Sequence, residues 1–158
     1  MAEDSAWWMG YMNDPTALRF MSFTLGSEAD CAFFIARSLE RIALDGSGLH
    51  AVEERTTGRP AGMIGLLTQD VDGVQELEIG YHLLPSAWGK GYATEAAIAC
   101  KEFVRAHALA PSVISLIHPE NARSEAVATR NGMTLERSTT HRGMPARIWR
   151  FTFAGARG

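Results

Sequence analysis

Apolar and polar positions change rhythm several times along the chain, and each change marks an element. Asp4 or Ser5 is placed to cap a short helix through Ala6, Trp7, Trp8 and Met9, and Asp14-Pro15 is an N-cap followed by proline at the first helical position. Ser27-Glu28-Ala29-Asp30 resembles a capping box. Phe33, Phe34, Arg37, Leu39, Ile42 and Leu44 then carry a helical rhythm that stops at Gly46. Leu49 to Glu53 and Gly62 to Leu67 read as strands around the hairpin signal Thr56-Thr57-Gly58-Arg59, and Asp72-Gly73 turns the chain into a further strand. That strand, Val74 to Leu83, alternates: Leu77, Ile79 and Tyr81 face one way, Glu76, Glu78 and His82 the other.

A helix is expected from about Thr94 to His107, with Ala97, Cys100, Phe103, Val104 and His107 at core spacing, ended by Pro111. Val113 to Ile117 is a short apolar run with prolines on either side, which suits a central strand buried on both faces. A short helix stops at Asn131-Gly132, and two last strands are expected near Met133 to Ser138 and Arg147 to Phe153. His141, Arg142 and Arg147 would then lie in the loop between them, where solvated charges are common and an acidic acceptor is conceivable. The predicted class is α+β, one domain over residues 1–158, with a largely antiparallel sheet.

Composition narrows the partners. The 158 residues carry 15 Lys+Arg against 18 Asp+Glu, a net charge of −3, which disfavours nucleic acid or an anionic membrane as a partner found by bulk electrostatics. No apolar run approaches the ~18 residues of a membrane span, and the acidic start lacks a signal peptide's basic region, so a soluble, cytoplasmic protein is expected. Cys31 and Cys100 form no CxxC or Cys/His cluster, which argues against structural zinc and a disulfide scaffold.

The chemistry concentrates where a strand runs into Trp88-Gly89-Lys90-Gly91-Tyr92-Ala93-Thr94 and then a helix, an arrangement that offers backbone N–H groups to a phosphate. A P-loop needs Ser or Thr directly after Gly-Lys, but Gly91 follows Lys90; a dinucleotide fingerprint needs a third glycine where Thr94 stands. A pyrophosphate loop of the acetyl-CoA type fits, with the amides from Gly89 to Thr94 around the diphosphate and Gly91 permitting close approach.

The segment Glu78-Ile79-Gly80-Tyr81-His82-Leu83-Leu84-Pro85 running into Trp88 to Ala96 resembles the GNAT superfamily of N-acetyltransferases, in its RimJ/RimL-like branch. Pro119-Glu120-Asn121-Ala122-Arg123-Ser124 and Asn131-Gly132-Met133 resemble that family's next block. Trp88 stands where the wider family has Gln or Arg, a departure usual in the branch. The resemblance implies a central sheet splayed between the Glu78 strand and the Val113–Ile117 strand, with acetyl-CoA as co-substrate and no metal. It implies that backbone groups near His82, Leu83 and Leu84 pair with the pantetheine arm, that Gly89, Lys90, Gly91, Tyr92, Ala93 and Thr94 hold the diphosphate, and that Asn121 contacts the pantetheine. Glu78 is then the candidate base, a backbone N–H near Leu83 the donor to the carbonyl oxygen, and Ser124 the group facing the departing thiolate.

Plainer readings stand beside these. Glu78 can be a solvent-facing or ion-paired strand residue, Asn121 an ordinary N-cap, Ser124 a first-turn helix residue, and His82 a satisfied strand residue. Glu95, near a helix N-terminus, is read as stabilising. The acceptor is expected to be a primary amine, either a protein N-terminus or a small molecule such as a polyamine or an aminoglycoside. The alternatives are a non-catalytic acyl-CoA-binding module and a structural interaction domain. The family's usual first strand has no counterpart before Trp7-Trp8, so the natural start is expected upstream or the edge strand lost, with an exposed Leu49–Glu53 edge and a possible homodimer.

Overall fold

The computed structural model describes residues 2–155. Along them run α1 (Ala2–Met12), a 3-10 turn (Ala17–Phe20), α2 (Glu28–Asp45), β1 (Gly48–Glu53), β2 (Pro60–Val71), β3 (Val74–Leu83), a second 3-10 turn (Pro85–Ala87), α3 (Tyr92–His107), β4 (Ser112–Ile117), α4 (Ala122–Arg130), β5 (Thr134–His141) and β6 (Met144–Thr152). The strands form one sheet in the order β1-β2-β3-β4-β6-β5. Every neighbouring pair is antiparallel except β3 with β4. This is the α+β architecture the pattern predicts, with β4 near the centre.

Two large cores pack against the sheet, beside a small cluster of Val71, Ile114 and Ile148. Trp8, Tyr11, Met12, Phe34 and Ile35 pack with Leu49 and Met63 under α1 and α2, while Ile79, Val113 and Ile117 meet Ala97, Val104, Val127 and Ala128 under α3 and α4. The alternation in β3 is therefore real, and its polar side is turned toward the space under α2 and not toward the outer surface.

Local signals hold where a side chain closes its own turn. Ser27 accepts the Asp30 N–H at 3.1 Å and Gly46 ends α2 at φ 78°. Asp72 (φ 54°) and Gly73 (φ 81°) make the two-residue turn between β2 and β3.

Other details differ. α1 begins before Asp4 and Ser5, so they lie inside it, and Asp4 accepts the Trp7 indole N–H at 3.3 Å. Asp14 takes the Ala17 N–H at 2.8 Å, but the 3-10 helix begins only at Ala17 with Thr16 in the N-cap position, so Pro15 lies in the turn before it and not at the first helical position. On α2 the buried stripe is Cys31, Phe34, Ile35 and Ser38, while Phe33, Leu39 and Leu44 are exposed. The helix carries two apolar stripes, and the one facing the sheet follows the i, i+3, i+4, i+7 spacing. On α3, Phe103 and His107 are exposed and lie against each other at 4.2 Å between ring centres. Arg147 lies within β6, paired with Glu125 at 2.7 Å, and a tight turn at Arg142-Gly143 replaces the expected loop.

Candidate active site in the cleft between β3 and β4

β3 and β4 share a single register pair, Glu78 with Ile114. The hydroxyl of Ser115 adds one link, donating to the Ile79 carbonyl at 2.9 Å. Beyond that point the strands diverge, and a cleft of about 800 Å³ opens between them.

Antiparallel pairing decides which backbone groups face the cleft. Leu84 donates to the Ala61 carbonyl at 2.9 Å, so the bonded positions of β3 are the even ones, and Ile79, Tyr81 and Leu83 turn their backbone groups toward β4. Of His82, Leu83 and Leu84, Leu83 is thus the residue whose N–H is directed into the splay; the Leu84 N–H is already committed. The Leu83 carbonyl accepts the Trp88 indole N–H at 3.0 Å, which fixes the start of the glycine loop against the end of β3.

Glu78 lies on the α2 face, 9% exposed. Its carboxyl accepts the Gln69 side-chain amide at 2.8 Å and the Leu116 backbone N–H. Burial pushes its pKa up, against the pull of those two hydrogen bonds and of Arg142 and Arg41. Neither the solvent-facing nor the ion-paired reading holds: the group is buried, lines the cleft and has no ion pair within 4.0 Å among the described residues. A carboxyl in that setting can take and return a proton nearer neutrality than an exposed one.

His82, four residues on, lines the same cleft. The Tyr11 hydroxyl donates its one proton to the Ala17 carbonyl at 3.0 Å, so in its 3.2 Å contact with His82 Nδ1 the ring nitrogen is the donor and Nε2 keeps its lone pair. Burial holds the imidazole neutral, with a pKa lowered to about 4. One ring nitrogen is thus paired with Tyr11, and the ring lies on the wall of the cleft.

The glycine loop brings a helix N-terminus to the mouth of the cleft. Gly89 (φ 74°) and Gly91 (φ 82°) occupy left-handed conformations, and no side chain caps α3. The first amide of α3 to bond back is that of Glu95, to the Gly91 carbonyl at 3.0 Å, which leaves those of Tyr92, Ala93 and Thr94 without an intrahelical partner. A Cβ built on either glycine would meet nothing within 4 Å, so conformation and not crowding explains the residue type.

Lys90 is turned away from these amides. Its ammonium bonds Glu54 in the β1–β2 connection at 2.7 Å, and the Tyr92 hydroxyl donates to the same carboxylate at 3.2 Å. The hydrogen bond from Lys90, joined by that from Thr57, holds the Glu54 carboxyl down at about 2. The loop is therefore clamped to the neighbouring hairpin through side chains, leaving its amides free.

At the start of α4, Asn121 caps the helix by accepting the Ser124 N–H at 3.2 Å. Both residues line the cleft. Tyr81, across the splay, donates its hydroxyl to the Ser124 carbonyl at 2.8 Å and ties β3 to α4. The guanidinium of Arg123 lies over the Trp88 ring, 4.2 Å from its centre. No motif in the sequence singles out Tyr81, Tyr11, Gln69 or Arg41 as neighbours of the site. The alternation in β3 could have paired Tyr81 with the far wall, whereas Gln69 and Arg41 reach the site only because β2 and α2 fold beside Glu78.

Among the described residues, no group of three or more His, Cys, Asp or Glu side chains is placed to hold a metal, and no helix is long and apolar enough to cross a membrane. Cys31 and Cys100 are both free.

Comparison with known proteins gives a family match and a fold match. The family described as "Acetyltransferase (GNAT) domain" matches residues 1–134. The uncharacterized protein YkkB of Bacillus subtilis (strain 168) is 31% identical over 104 residues, 66% of this chain and 60% of that protein, so the chain matches less than two thirds of this relative's length. Among solved structures, an acetyltransferase from Agrobacterium tumefaciens str. C58 superposes with a TM-score of 0.81 at 24% identity, covering 97% of this chain and 87% of that one. RimL, the ribosomal L7/L12 alpha-N-protein acetyltransferase in complex with coenzyme A, does so with a TM-score of 0.75 at 15% identity, covering 96% and 90%. At these identities the two structures are likenesses of fold.

Proposed function

The chain belongs to the GNAT acetyltransferase family, and from that premise we propose that it transfers an acetyl group from acetyl-CoA to a primary amine, directly, with both substrates bound together. The observation that carries this reading is the splay between β3 and β4 beside an uncapped helix N-terminus. It offers a channel for an extended arm and a row of amides for a diphosphate.

The amides from Gly89 to Thr94 bind the diphosphate, and the dipole of α3 favours its charge. The Leu83 N–H, the His82–Leu84 backbone and Asn121 lie along the arm. Acetyl-CoA supplies the acetyl group as an activated thioester.

Glu78 acts on the amine, directly or through one water. An amino group is mostly ammonium near neutrality, with a pKa of about 8 for an N-terminus and about 10.4 for a lysine, and it attacks only once neutral. The N–C bond forms as the C–S bond breaks. Of the two protons the ammonium gives up, one leaves through Glu78 and the other ends on sulfur, delivered by way of Ser124. The Leu83 N–H is placed to bond the carbonyl oxygen as negative charge grows on it. The branch resemblance and the fold shared with RimL support a protein N-terminus as acceptor, with a small amine as the alternative.

Thermal denaturation with acetyl-CoA, with CoA and with an analogue lacking the diphosphate tests the cofactor half of the proposal. Acetyl-CoA and CoA should both raise Tm, by the equivalent of about 2.7 kcal/mol at a hundred times Kd, and the analogue should not. A folded protein that none of them stabilises would overturn it.

A further inference from the structure

Arg37, Arg41 and Arg142 line the cleft beside Glu78, and none of them has an ion pair within 4.0 Å among the described residues. Arg37 and Arg41 stand one turn apart on α2, and Arg142 sits in the β5–β6 turn at φ 50°. All three line the same cleft as Glu78 and continue with Gln69 into a shallower groove beside it. Arg41 and Arg142 both donate to Gln69 Oε1, at 3.3 and 3.2 Å, and Arg41 also donates to the Thr68 carbonyl at 2.9 Å. The other end of the Gln69 amide donates to Glu78. The Arg37 side chain makes no hydrogen bond among the described residues.

Among the described residues, Arg37, Arg41 and Arg142 share the lack of an ion pair within 4.0 Å with Arg55, Arg59, Lys101, Arg123 and Arg130; what sets the trio apart is that all three line both the cleft beside Glu78 and the groove that adjoins it. The nearby acids hold other partners: Asp45 accepts the Ser47 N–H, Asp70, which lines the adjoining groove, accepts the Gly73 N–H and the Gln75 amide, and Asp72 holds Arg137 and Thr139. Burial, and then mutual repulsion within the trio, pushes the pKa of Arg41 and Arg142 down. Three close cations facing one buried carboxyl, in a chain of net charge −3, leave a local excess of positive charge that a bound anion would relieve.

We infer that the acceptor amine carries an anionic group, a carboxylate or a phosphate, which Arg37, Arg41 and Arg142 hold while its nitrogen lies beside Glu78. The inference rests on the acetyltransferase reading and names its substrate class. One carboxamide separates the Glu78 carboxyl from the guanidiniums, so nitrogen and anion belong a few bonds apart on the acceptor. The same excess of charge repels polycations such as polyamines and aminoglycosides.

The test is acetyl transfer by the full chain to matched amines: O-phosphoethanolamine against ethanolamine, β-alanine against its amide, and a peptide with acidic residues after its N-terminus against the same peptide with glutamines. Within at least one pair, the anionic member should have a kcat/KM higher by about tenfold or more. Which pair responds separates a free amine from a peptide as the source. Arg37→Gln and Arg142→Gln should each raise KM for the anionic member and compress the ratio toward one, with partial recovery in Arg37→Lys. The stabilisation by acetyl-CoA, measured on the same samples, separates the two levels of failure. If it is absent, the acetyltransferase reading falls. If it is present, then equal turnover within every pair, a preference for spermidine, or no turnover of any anionic amine overturns the inference alone.

Discussion

A carboxyl on a strand facing water titrates near 4.3, but Glu78 looks across its strand at α2, with Gln69 and two guanidiniums beside it. Burial raises its pKa, so the folded protein holds that proton more tightly than the unfolded chain. The resulting stability is fully present below the ordinary carboxylate range and is lost as pH rises through the folded value. In Glu78→Gln that slope in Tm between acid and neutral pH should flatten. The same variant should lose kcat by about a hundredfold or more and lose the acidic limb of its kcat/KM profile, while stabilisation by acetyl-CoA persists. Retention of full activity would remove Glu78 from the mechanism. The residue and its polar orientation could be read from the alternation in β3. Its burial could not, because α2 and Gln69 come from distant stretches of chain.

At the scale of elements, the N-terminus of α3 joins conformation to binding. Gly91 at φ 82° begins the helix without a side-chain cap, and any L-residue there is strained. Gly91→Ala should lower stability by about 1 kcal/mol, a fall in Tm of about 3 °C. It should also shrink the stabilisation by acetyl-CoA, since the strain displaces the free amides; paired melting curves with and without ligand measure both. An unchanged ligand shift would mean that the loop amides do not hold the diphosphate. Glycine spacing made this loop legible. The fate of Lys90 was not, because Glu54 reaches it from 36 residues away. α2 teaches the same lesson: its caps were readable from Ser27 and Gly46, yet only packing chose between its two apolar stripes.

Across the whole molecule, the sheet order leaves β1 and β5 at the edges, and the outer edge of β1 is unpaired among the described residues. His50, Ala51 and Glu53 on that strand are exposed. An unpaired edge recruits other strands, so the chain is expected to self-associate with rising concentration, and Ala51→Lys should reduce it. Sedimentation velocity over a wide concentration range checks this. A monomer throughout would show that the edge is protected by its own twist and charge.

The order of elements, most of their ends, the glycine loop, the alternation in β3 and the family all follow from the sequence, because each depends on neighbours within a few residues or on a contiguous motif. The divergence of β3 from β4, the burial of Glu78, the capture of Lys90 by Glu54 and the gathering of Arg37, Arg41 and Arg142 were decided by tertiary structure. Those features bring together side chains from separate elements, and a charge or hydrogen bond between them exists only once the chain has closed the distance.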